Sequence, residues 1–196
     1  MSTLLFLRDV ARSPLQMGAI APSSRQLARA MVDHAQIQPG QVIVELGGGS
    51  GAFTRELVER HPDNPLLVFE LSTGLAASLQ ERFPTAQVVA GPAESLPEVA
   101  AARGITRVDR IVSGLPWALW STRRSAEILD ALVPHLAPDG RLVTFHYVHS
   151  RALGRVAGMR ALLDERFEQV RLSDIVWANV PPAYVHIAES PRTRTG

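Results

Sequence analysis

A glycine-rich segment behind an apolar run holds the residues best suited to chemistry in this chain. The motif Glu-Leu-Gly-Gly-Gly-Ser-Gly at 45–51 follows Val-Ile-Val at 42–44 and precedes a segment typical of a helix start at 52–58. A strand, a tight turn and a helix N-terminus bring backbone N–H groups close to a small ligand. The carboxylate of Glu45 just before the glycines suits a ligand with hydroxyls or a cationic amine better than a pyrophosphate.

The glycine pattern has three interpretations. Gly47, Gly49 and Ala52 satisfy the G-x-G-x-x-G/A dinucleotide fingerprint. A tight turn without any ligand is the second interpretation. The third is favoured, because Glu45 would repel a pyrophosphate and about forty residues precede the first strand. In this interpretation the segment resembles motif I of the S-adenosylmethionine-dependent methyltransferases, which implies cofactor contacts from Glu45, Gly47, Gly49 and Gly51.

The ends of the other predicted strands complete the expected cofactor pocket, because ligands of open parallel sheets lie at the carboxyl ends of the strands. Glu70 ends the second strand and can accept hydrogen bonds from ribose hydroxyls, and a solvated strand-end charge is the less favoured alternative. Glu94 could read the adenine edge, or could be an acid favoured by the dipole of an early helix turn. The remaining cofactor candidates are Leu71, Ala93, Ser113 and Leu115.

Apolar and amphipathic runs alternate in a βαβα rhythm, which predicts an α/β fold with a mainly parallel sheet and helices on both faces. This is the class I methyltransferase Rossmann-like arrangement with seven strands. The predicted strands span 42–46, 66–71, 87–90, 110–114, 141–147, 167–175 and 184–188. The predicted helices span 24–34, 52–60, 74–82, 96–103, 123–136 and 151–164.

The length of 196 residues predicts a single methyltransferase domain. We divide it into an N-terminal helical arm or lid (1–36), a Rossmann-like core (37–190) and a tail (191–196). We expect no secretory signal and no membrane span, which places the protein in the cytoplasm. The net charge of +1 does not indicate a nucleic-acid partner, and the absence of cysteine excludes thiolate metal sites, so no metal is expected.

Four segments together carry a family resemblance: 18–24 (Gly-Ala-Ile-Ala-Pro-Ser-Ser), the glycine motif, 113–116 and 176–183. They resemble the bacterial phospholipid N-methyltransferases, the rRNA adenine dimethylase-like enzymes that methylate phosphatidylethanolamine or ornithine lipids. The resemblance implies S-adenosylmethionine as cofactor and S-adenosylhomocysteine as product. It also implies that Ile20, Ser23 and Ser24 close over the methionine end of the cofactor. The stretch 145–150 departs from the family pattern, which weakens the lipid assignment more than the cofactor assignment.

An N-terminal amphipathic segment bears on where the enzyme would work. Residues 4–11 place apolar side chains on one helical face. This helix either packs on the domain or lies at an anionic membrane surface, on the inner face of the cytoplasmic membrane, as the resemblance implies.

The catalytic candidates are Tyr147 and His146 at the end of the fifth strand, where one of them could orient an amine or relay its proton. Strand alternation sends only one of the two into the site, and Tyr147 is the preferred candidate. Each could equally be a packed strand residue.

Four further residues are candidates for substrate binding. Arg151 and Arg155 are four residues apart in a predicted helix, so they would share a face and could grip a phosphate. A solvated basic face is the alternative. Trp117 could line an acceptor channel or meet lipid, or could be core. Asn179, in the late motif, is the fourth candidate.

Four functions compete. The leading one is N-methylation of a lipid head-group amine such as that of phosphatidylethanolamine. The second keeps the cofactor but takes a soluble small molecule or a peptide as acceptor. Methylation of rRNA adenine is less favoured, because the loop Gly-Leu-Pro-Trp at 114–117 lacks the acceptor Asn of those enzymes. A non-enzymatic nucleotide-binding module does not explain an open loop after the fourth strand. The oligomeric state does not follow from the sequence.

Overall fold

The computed structural model describes residues 23–192, and these residues form a seven-stranded sheet. The strands are β1 Ile43–Leu46, β2 Leu66–Glu70, β3 Gln87–Ala90, β4 Val108–Ser113, β5 Leu136–Tyr147, β6 Phe167–Leu172 and β7 Ala183–Pro191. Their order across the sheet is β3-β2-β1-β4-β5-β7-β6. Strands β1 to β5 pair in parallel, and β7 runs antiparallel to both β5 and β6.

Six α-helices in this part of the chain cover the two faces of the sheet. They are α1 Arg25–Ala35, α2 Ala52–Arg60, α3 Thr73–Arg82, α4 Leu96–Ala102, α5 Thr122–Leu132 and α6 Gly154–Arg166. One buried cluster joins α1, α2 and α3 to the sheet, and a second joins α4, α5 and α6 to the opposite face. Strands β1, β2 and β4 are buried along their whole length because both faces are covered. The predicted fold class is confirmed.

Local sequence sets several helix starts. The hydroxyl of Ser24 accepts a hydrogen bond from the Leu27 N–H at 3.1 Å and caps α1. Ser121 caps α5 in the same way. Helix α2 has no side-chain cap, and Gly51 with φ +78° stands at its N-cap position. The start of α2 therefore depends on a backbone conformation that favours glycine.

Two predicted helix boundaries are wrong. Helix α5 ends at Leu132 and a 3₁₀ turn follows at Val133–His135, whereas the sequence pattern extended the helix to residue 136. Pro134 lacks the N–H that a continuing helix needs. Helix α6 begins at Gly154, because a 3₁₀ turn at Val148–Ser150 follows β5 directly. Residue 151 therefore lies outside the helix in which the sequence placed it.

Strand β5 is longer than predicted and carries an irregularity at its start. Val108 of β4 pairs with Leu136, and Arg110 pairs with Arg141, so the register shifts between these two pairs. Residues 138–140, Pro-Asp-Gly, lie in this shift and within β5.

Residues 1–22 and 193–196 lie outside the described part of the chain. The predicted helix over 4–11, the candidate Ile20 and most of the predicted N-terminal arm and tail belong to these segments. No helix within residues 23–192 is long and apolar enough to cross a membrane.

A buried histidine pair lies on the face of the sheet covered by α6. The rings of His146 and His186 lie 4.8 Å apart, and Tyr184 lies 5.3 Å from His186. Neither histidine has a hydrogen-bond partner among the described residues. Burial lowers the pKa of His146 to about 4, and burial together with the neighbouring His146 lowers the pKa of His186 to about 3.

We expect this pair to make the fold acid-sensitive. The ordinary histidine pKa is 6.5, so between 6.5 and about 4 the unfolded chain binds more protons than the folded chain. The free energy of unfolding therefore falls as the pH falls through that window. Urea titrations at pH 7 and pH 5 should show that His186→Leu reduces this acid-induced loss by about 2 kcal/mol. His135→Leu, at a half-buried position, is the control and should leave the loss unchanged.

Candidate cofactor and acceptor site

The loops after β1, β2 and β4 meet at the carboxyl edge of the sheet, and few side chains separate them. Gly47 has φ +79°, and its N–H donates to the carbonyl of Phe69 at 2.8 Å. A Cβ on Gly114, after β4, would lie 3.0 Å from the Gly47 carbonyl oxygen. Glycine is therefore required at positions 47 and 114, where the two loops come close to each other. The backbone of the β1 loop is exposed to a ligand as a consequence.

The carboxylate of Glu70 at the end of β2 organises the loop. One oxygen accepts from the Gly49 N–H at 2.8 Å and the other accepts from the Ser72 N–H at 2.8 Å. Each carboxylate oxygen has a second lone pair, so Glu70 can also accept from ligand hydroxyls. The predicted role of Glu70 toward ribose hydroxyls fits this geometry.

The Glu45 carboxyl group is fully buried in β1 and lacks a hydrogen bond of ordinary geometry among the described residues. Burial raises the pKa of Glu45 to about 8, and nearby Glu70 raises it further, while Thr54 partly offsets the shift. A buried carboxyl group without a partner is expensive unless a ligand supplies one. That a cationic amine of the ligand supplies this partner stays a prediction of the sequence, since Glu45 is not among the residues that line the cleft.

A cleft opens beside these glycines. Its lining includes Ser23, Gly47, Gly114, Phe145 and Tyr147. Phe53, Phe145 and Tyr147 line this cleft, and their ring contacts continue to His149 beyond it. The successive centroid distances from Phe53 to His149 are 5.9, 5.4 and 5.6 Å. We call this set the aromatic wall.

The structure separates the two catalytic candidates. Tyr147 lines the cleft, whereas His146 points to the opposite face of the sheet and packs against His186. Strand alternation produces this separation. Phe145 shares a face with Tyr147 for the same reason, and this i, i+2 spacing is the signal from which the sequence could have identified Phe145. Phe53 and His149 carried no comparable signal.

The remaining cofactor candidates are distributed unevenly. The side chain of Leu115 lies close to Gly47. The hydroxyl of Ser113 accepts from the Trp117 indole N–H at 3.1 Å. Ala93 is buried in a 3₁₀ turn, and Leu71 follows Glu70 half-buried. Glu94 forms an ion pair with Arg124. Its carboxylate is therefore already engaged, which the sequence did not predict.

The substrate candidates require correction. Trp117 is 1% exposed and belongs to the core with Trp120, so it does not line a channel or meet lipid. Arg151 and Arg155 do not share a helical face, because Arg151 lies in the turn before α6. The buried Asn179 is engaged structurally, since its side-chain oxygen accepts from the Ser24 N–H at 2.9 Å.

A larger cavity of about 430 Å³ lies elsewhere. It opens at the amino end of β5, where the ion pair between Asp130 and Arg166 lies in its wall. Ligands of open parallel sheets bind at the carboxyl ends of the strands. We therefore assign the site to the smaller cleft. Among residues 23–192 no three His, Asp or Glu side chains are grouped to hold a metal ion.

Comparison with solved structures supports this assignment of the fold. An rRNA methylase from Streptococcus thermophilus superimposes with a TM-score of 0.63 at 15% identity, over 89% of this chain and all of that chain. The buried Glu45, the bridging Glu70 and the glycine cradle, which is Gly47, Gly49 and Gly51, are an arrangement that fits S-adenosylmethionine. Fold, site and family matches together define a class I S-adenosylmethionine-dependent methyltransferase.

Comparison with sequence families places the chain more closely. The model of the ribosomal RNA adenine dimethylase family matches residues 23–90. An ornithine lipid N-methyltransferase from Singulisphaera acidiphila is 33% identical over 140 residues, which cover 69% of this chain and 73% of that protein. A ribosomal RNA small subunit methyltransferase A from Thermotoga neapolitana is 34% identical over 67 residues, which cover 25% of that protein. The chain belongs to the rRNA adenine dimethylase-like family that includes the ornithine lipid enzyme.

We expect Glu70→Ala to weaken S-adenosylmethionine binding at least about a hundredfold, because charge-assisted hydrogen bonds contribute about 1.5–3 kcal/mol each. The substitution removes the ribose acceptor and also releases the Gly49 and Ser72 N–H groups. Titration calorimetry measures the affinity, and circular dichroism verifies folding. Glu81→Ala, at an exposed position on α3, is the control. Unchanged affinity in a folded Glu70→Ala protein would refute the pocket assignment.

Glu45 should make the ligand-free protein less stable at alkaline pH. Its folded-state pKa of about 8 lies above the ordinary 4.5, so the folded state binds more protons between these values and loses stability as the pH rises. Urea titrations at pH 6 and pH 8 should show a loss of about 2 kcal/mol that Glu45→Gln removes. Glu59→Gln, at an exposed position, should retain the loss. Equal losses in the two variants would contradict the assignment.

Proposed function

We propose that this enzyme N-methylates a primary amine in the head group of a membrane lipid, with phosphatidylethanolamine as the first candidate acceptor. The observation that carries the proposal is the aromatic wall beside the glycine cradle. Ring faces attract ammonium groups, and the attraction persists as methyl groups replace N–H. An acceptor of this kind therefore stays bound through successive methylations.

S-adenosylmethionine supplies an electrophilic methyl group, and no metal is needed for its transfer to a nitrogen lone pair. The residues of this chain then have two tasks, which are to hold the amine in line and to keep water away. Good positioning of two reacting groups contributes about 7–11 kcal/mol. Ser23, Phe145 and Tyr147 line the space where this positioning occurs.

The amine must lose its proton before it reacts. With an amine pKa of about 10, this loss costs about 4 kcal/mol at pH 7. Burial raises the pKa of Tyr147 above 10.0, so its phenol stays protonated at neutral pH. We infer that the Tyr147 oxygen accepts a hydrogen bond from the amine and orients it, while the apolar wall lowers the amine pKa by desolvation.

The sequence relationship supports a lipid acceptor. The relative with 33% identity over 73% of its length is named as an ornithine lipid N-methyltransferase, and ornithine lipid carries an amine. The exposed Arg151 and Arg155 lie just after β5. The Arg151 guanidinium lies 5.8 Å from the centroid of the Tyr184 ring, and Arg155 donates to the Leu119 carbonyl at 3.1 Å. A lipid phosphate or another anionic head group would be attracted to them.

Methylation of rRNA has weaker support. The dimethylase model matches residues 23–90, about a third of the chain, which include the glycine loop and Glu70, and the rRNA enzymes match over short segments. The loop after β4 reads Gly-Leu-Pro-Trp at 114–117, and Trp117 in it is buried.

We also propose that the enzyme acts at the inner face of the cytoplasmic membrane, since the proposed acceptor is a lipid.

The test is transfer of labelled methyl groups from S-adenosylmethionine to phosphatidylethanolamine vesicles, with phosphatidylcholine vesicles as the amine-free control. Label should appear in the organic phase with phosphatidylethanolamine only. Ornithine lipid vesicles and soluble ethanolamine are parallel acceptors. Label in soluble ethanolamine alone would replace the lipid proposal with a soluble acceptor.

Tyr147→Phe tests the role of the hydroxyl group. We expect kcat to fall about a hundredfold because amine orientation is lost, while the affinity for S-adenosylmethionine stays unchanged. Tyr184→Phe is the matched control, because Tyr184 lies on the other face of the sheet beside His186. An unchanged kcat in Tyr147→Phe would remove Tyr147 from the reaction.

A further inference from the structure

The loop between β6 and β7 exposes large apolar side chains. Trp177 is 71% exposed and Val180 is 78% exposed. The other two tryptophans, Trp117 and Trp120, are 1% and 9% exposed. We call residues 176–182 the tryptophan loop. Neighbouring exposed apolar side chains of this size are typical of an interaction surface.

The exposure of these side chains is built into the loop. Between Trp177 and Val180, Asn179 is buried and accepts from the Ser24 N–H at 2.9 Å. The Asn179 amide also donates to the Pro181 carbonyl at 2.7 Å, and Val176 pairs with Ala183 at the base of the loop. The loop is therefore fastened to the start of α1 by one inward side chain. Its apolar side chains are directed outward as a result.

Positive charge lies beside the loop. The Val148 N–H donates to the Pro182 carbonyl at 2.8 Å, so the turn after β5 contacts the end of the tryptophan loop. This turn continues into the exposed Arg151, Leu153 and Arg155. Neither arginine forms an ion pair within residues 23–192. Leu153, 48% exposed, adds an apolar side chain between them.

Negative charge is sparse on this edge. Segments 148–155 and 175–182 contain no acidic residue. The acidic residue closest in sequence to the tryptophan loop is Asp174, whose charge interacts with His34 at the end of α1. The surface therefore combines a tryptophan, two aliphatic side chains and two arginines without an opposing carboxylate. Tryptophan and arginine are the side chains that favour the boundary between lipid head groups and hydrocarbon.

The surface also lies beside the cleft. Tyr147, which lines the cleft, pairs with Ala183 at the end of the tryptophan loop. Ser24, bound to Asn179, follows Ser23 of the cleft lining. An occupant of this surface would therefore lie at the entrance to the acceptor site.

We propose that the tryptophan loop and residues 151–155 form a membrane-docking surface that inserts Trp177 and Val180 into an anionic lipid surface. The inference rests on the proposed function in so far as a lipid acceptor must reach the cleft from a bilayer. Docking at this edge brings the head groups to the cleft without extraction of a whole lipid. Arg151 and Arg155 contact anionic head groups, while Trp177 lies at the boundary with the acyl chains.

The first experiment uses the unmodified full-length chain and vesicles of phosphatidylcholine with phosphatidylglycerol, without any amine lipid. Because Trp117 and Trp120 are buried, an emission change on binding reports Trp177. Lipids brominated in the acyl chain should quench this emission. Binding without quenching, or no binding at all, would overturn the proposal.

The second experiment compares variants in vesicle sedimentation. Trp177→Ala combined with Val180→Ser should weaken binding at least about tenfold, because apolar burial is lost. Leu75→Ser, at an apolar position 44% exposed on α3, is the matched control and should bind normally. Arg151→Ser and Arg155→Ser should each weaken binding to anionic vesicles about fivefold. Arg123→Ser, at an exposed position on α5, is the control for charge.

The remaining outcomes separate docking from the proposed function. Equal binding by the Trp177→Ala/Val180→Ser variant and the parent overturns docking at this surface. A concentration-dependent dimer that this variant abolishes, without vesicle binding by the parent, overturns it in favour of a second copy of the chain. Vesicle binding that depends on Trp177 without methylation of any amine lipid supports docking and contradicts the acceptor proposal. If the docking proposal and the acceptor proposal are both correct, the Trp177→Ala/Val180→Ser variant loses activity on vesicles but retains activity on monomeric short-chain phosphatidylethanolamine.

Discussion

The site depends on one carboxylate that holds two loops together. Glu70 accepts from the N–H groups of Gly49 and Ser72, which belong to the loops after β1 and β2. Hydrogen bonds to a charged acceptor are stronger than those between neutral groups. Glu70 therefore fixes the glycine loop against the neighbouring strand, and the cleft beside Gly47 takes its shape from this contact. The sequence predicts that the same oxygens also accept from the ribose hydroxyls of the cofactor, in which case one residue shapes the loop and binds the ligand.

The site contains a second buried acid with the opposite behaviour. Glu45 lies fully buried without a hydrogen bond of ordinary geometry, and burial raises its pKa to about 8. Its energetic cost in the ligand-free protein is the kind of local instability that binding sites retain, because the ligand supplies the missing partner. Glu70 is satisfied by backbone donors, whereas Glu45 is predicted to gain its partner from the ligand. The two acids therefore differ in what the folded chain alone supplies to them.

The sequence predicted the parts of the fold that follow from local pattern. Helix α2 and strand β3 have the predicted boundaries, and the sheet has the predicted seven strands. The predicted boundaries that are wrong lie where a local feature of the chain ends a helix or delays its start against the periodic pattern. Pro134 ends α5 early, and the 3₁₀ turn after β5 removes Arg151 from α6. The sequence left Trp117 open to three roles, in an acceptor channel, in contact with lipid or in the core, and burial against α5 and α6 makes it core.

By itself the sequence determined the glycine cradle, the acids at 45 and 70 and the alternation that gives Tyr147 and His146 opposite faces, because these depend on spacing along one element. Only the tertiary structure decided which contacts form between distant segments. Asn179 meets Ser24 across 155 positions, and Glu94 meets Arg124 across 30. The aromatic wall likewise unites Phe53 with the end of β5. Such contacts depend on how helices and loops pack around the sheet, and one-dimensional periodicity does not contain that information.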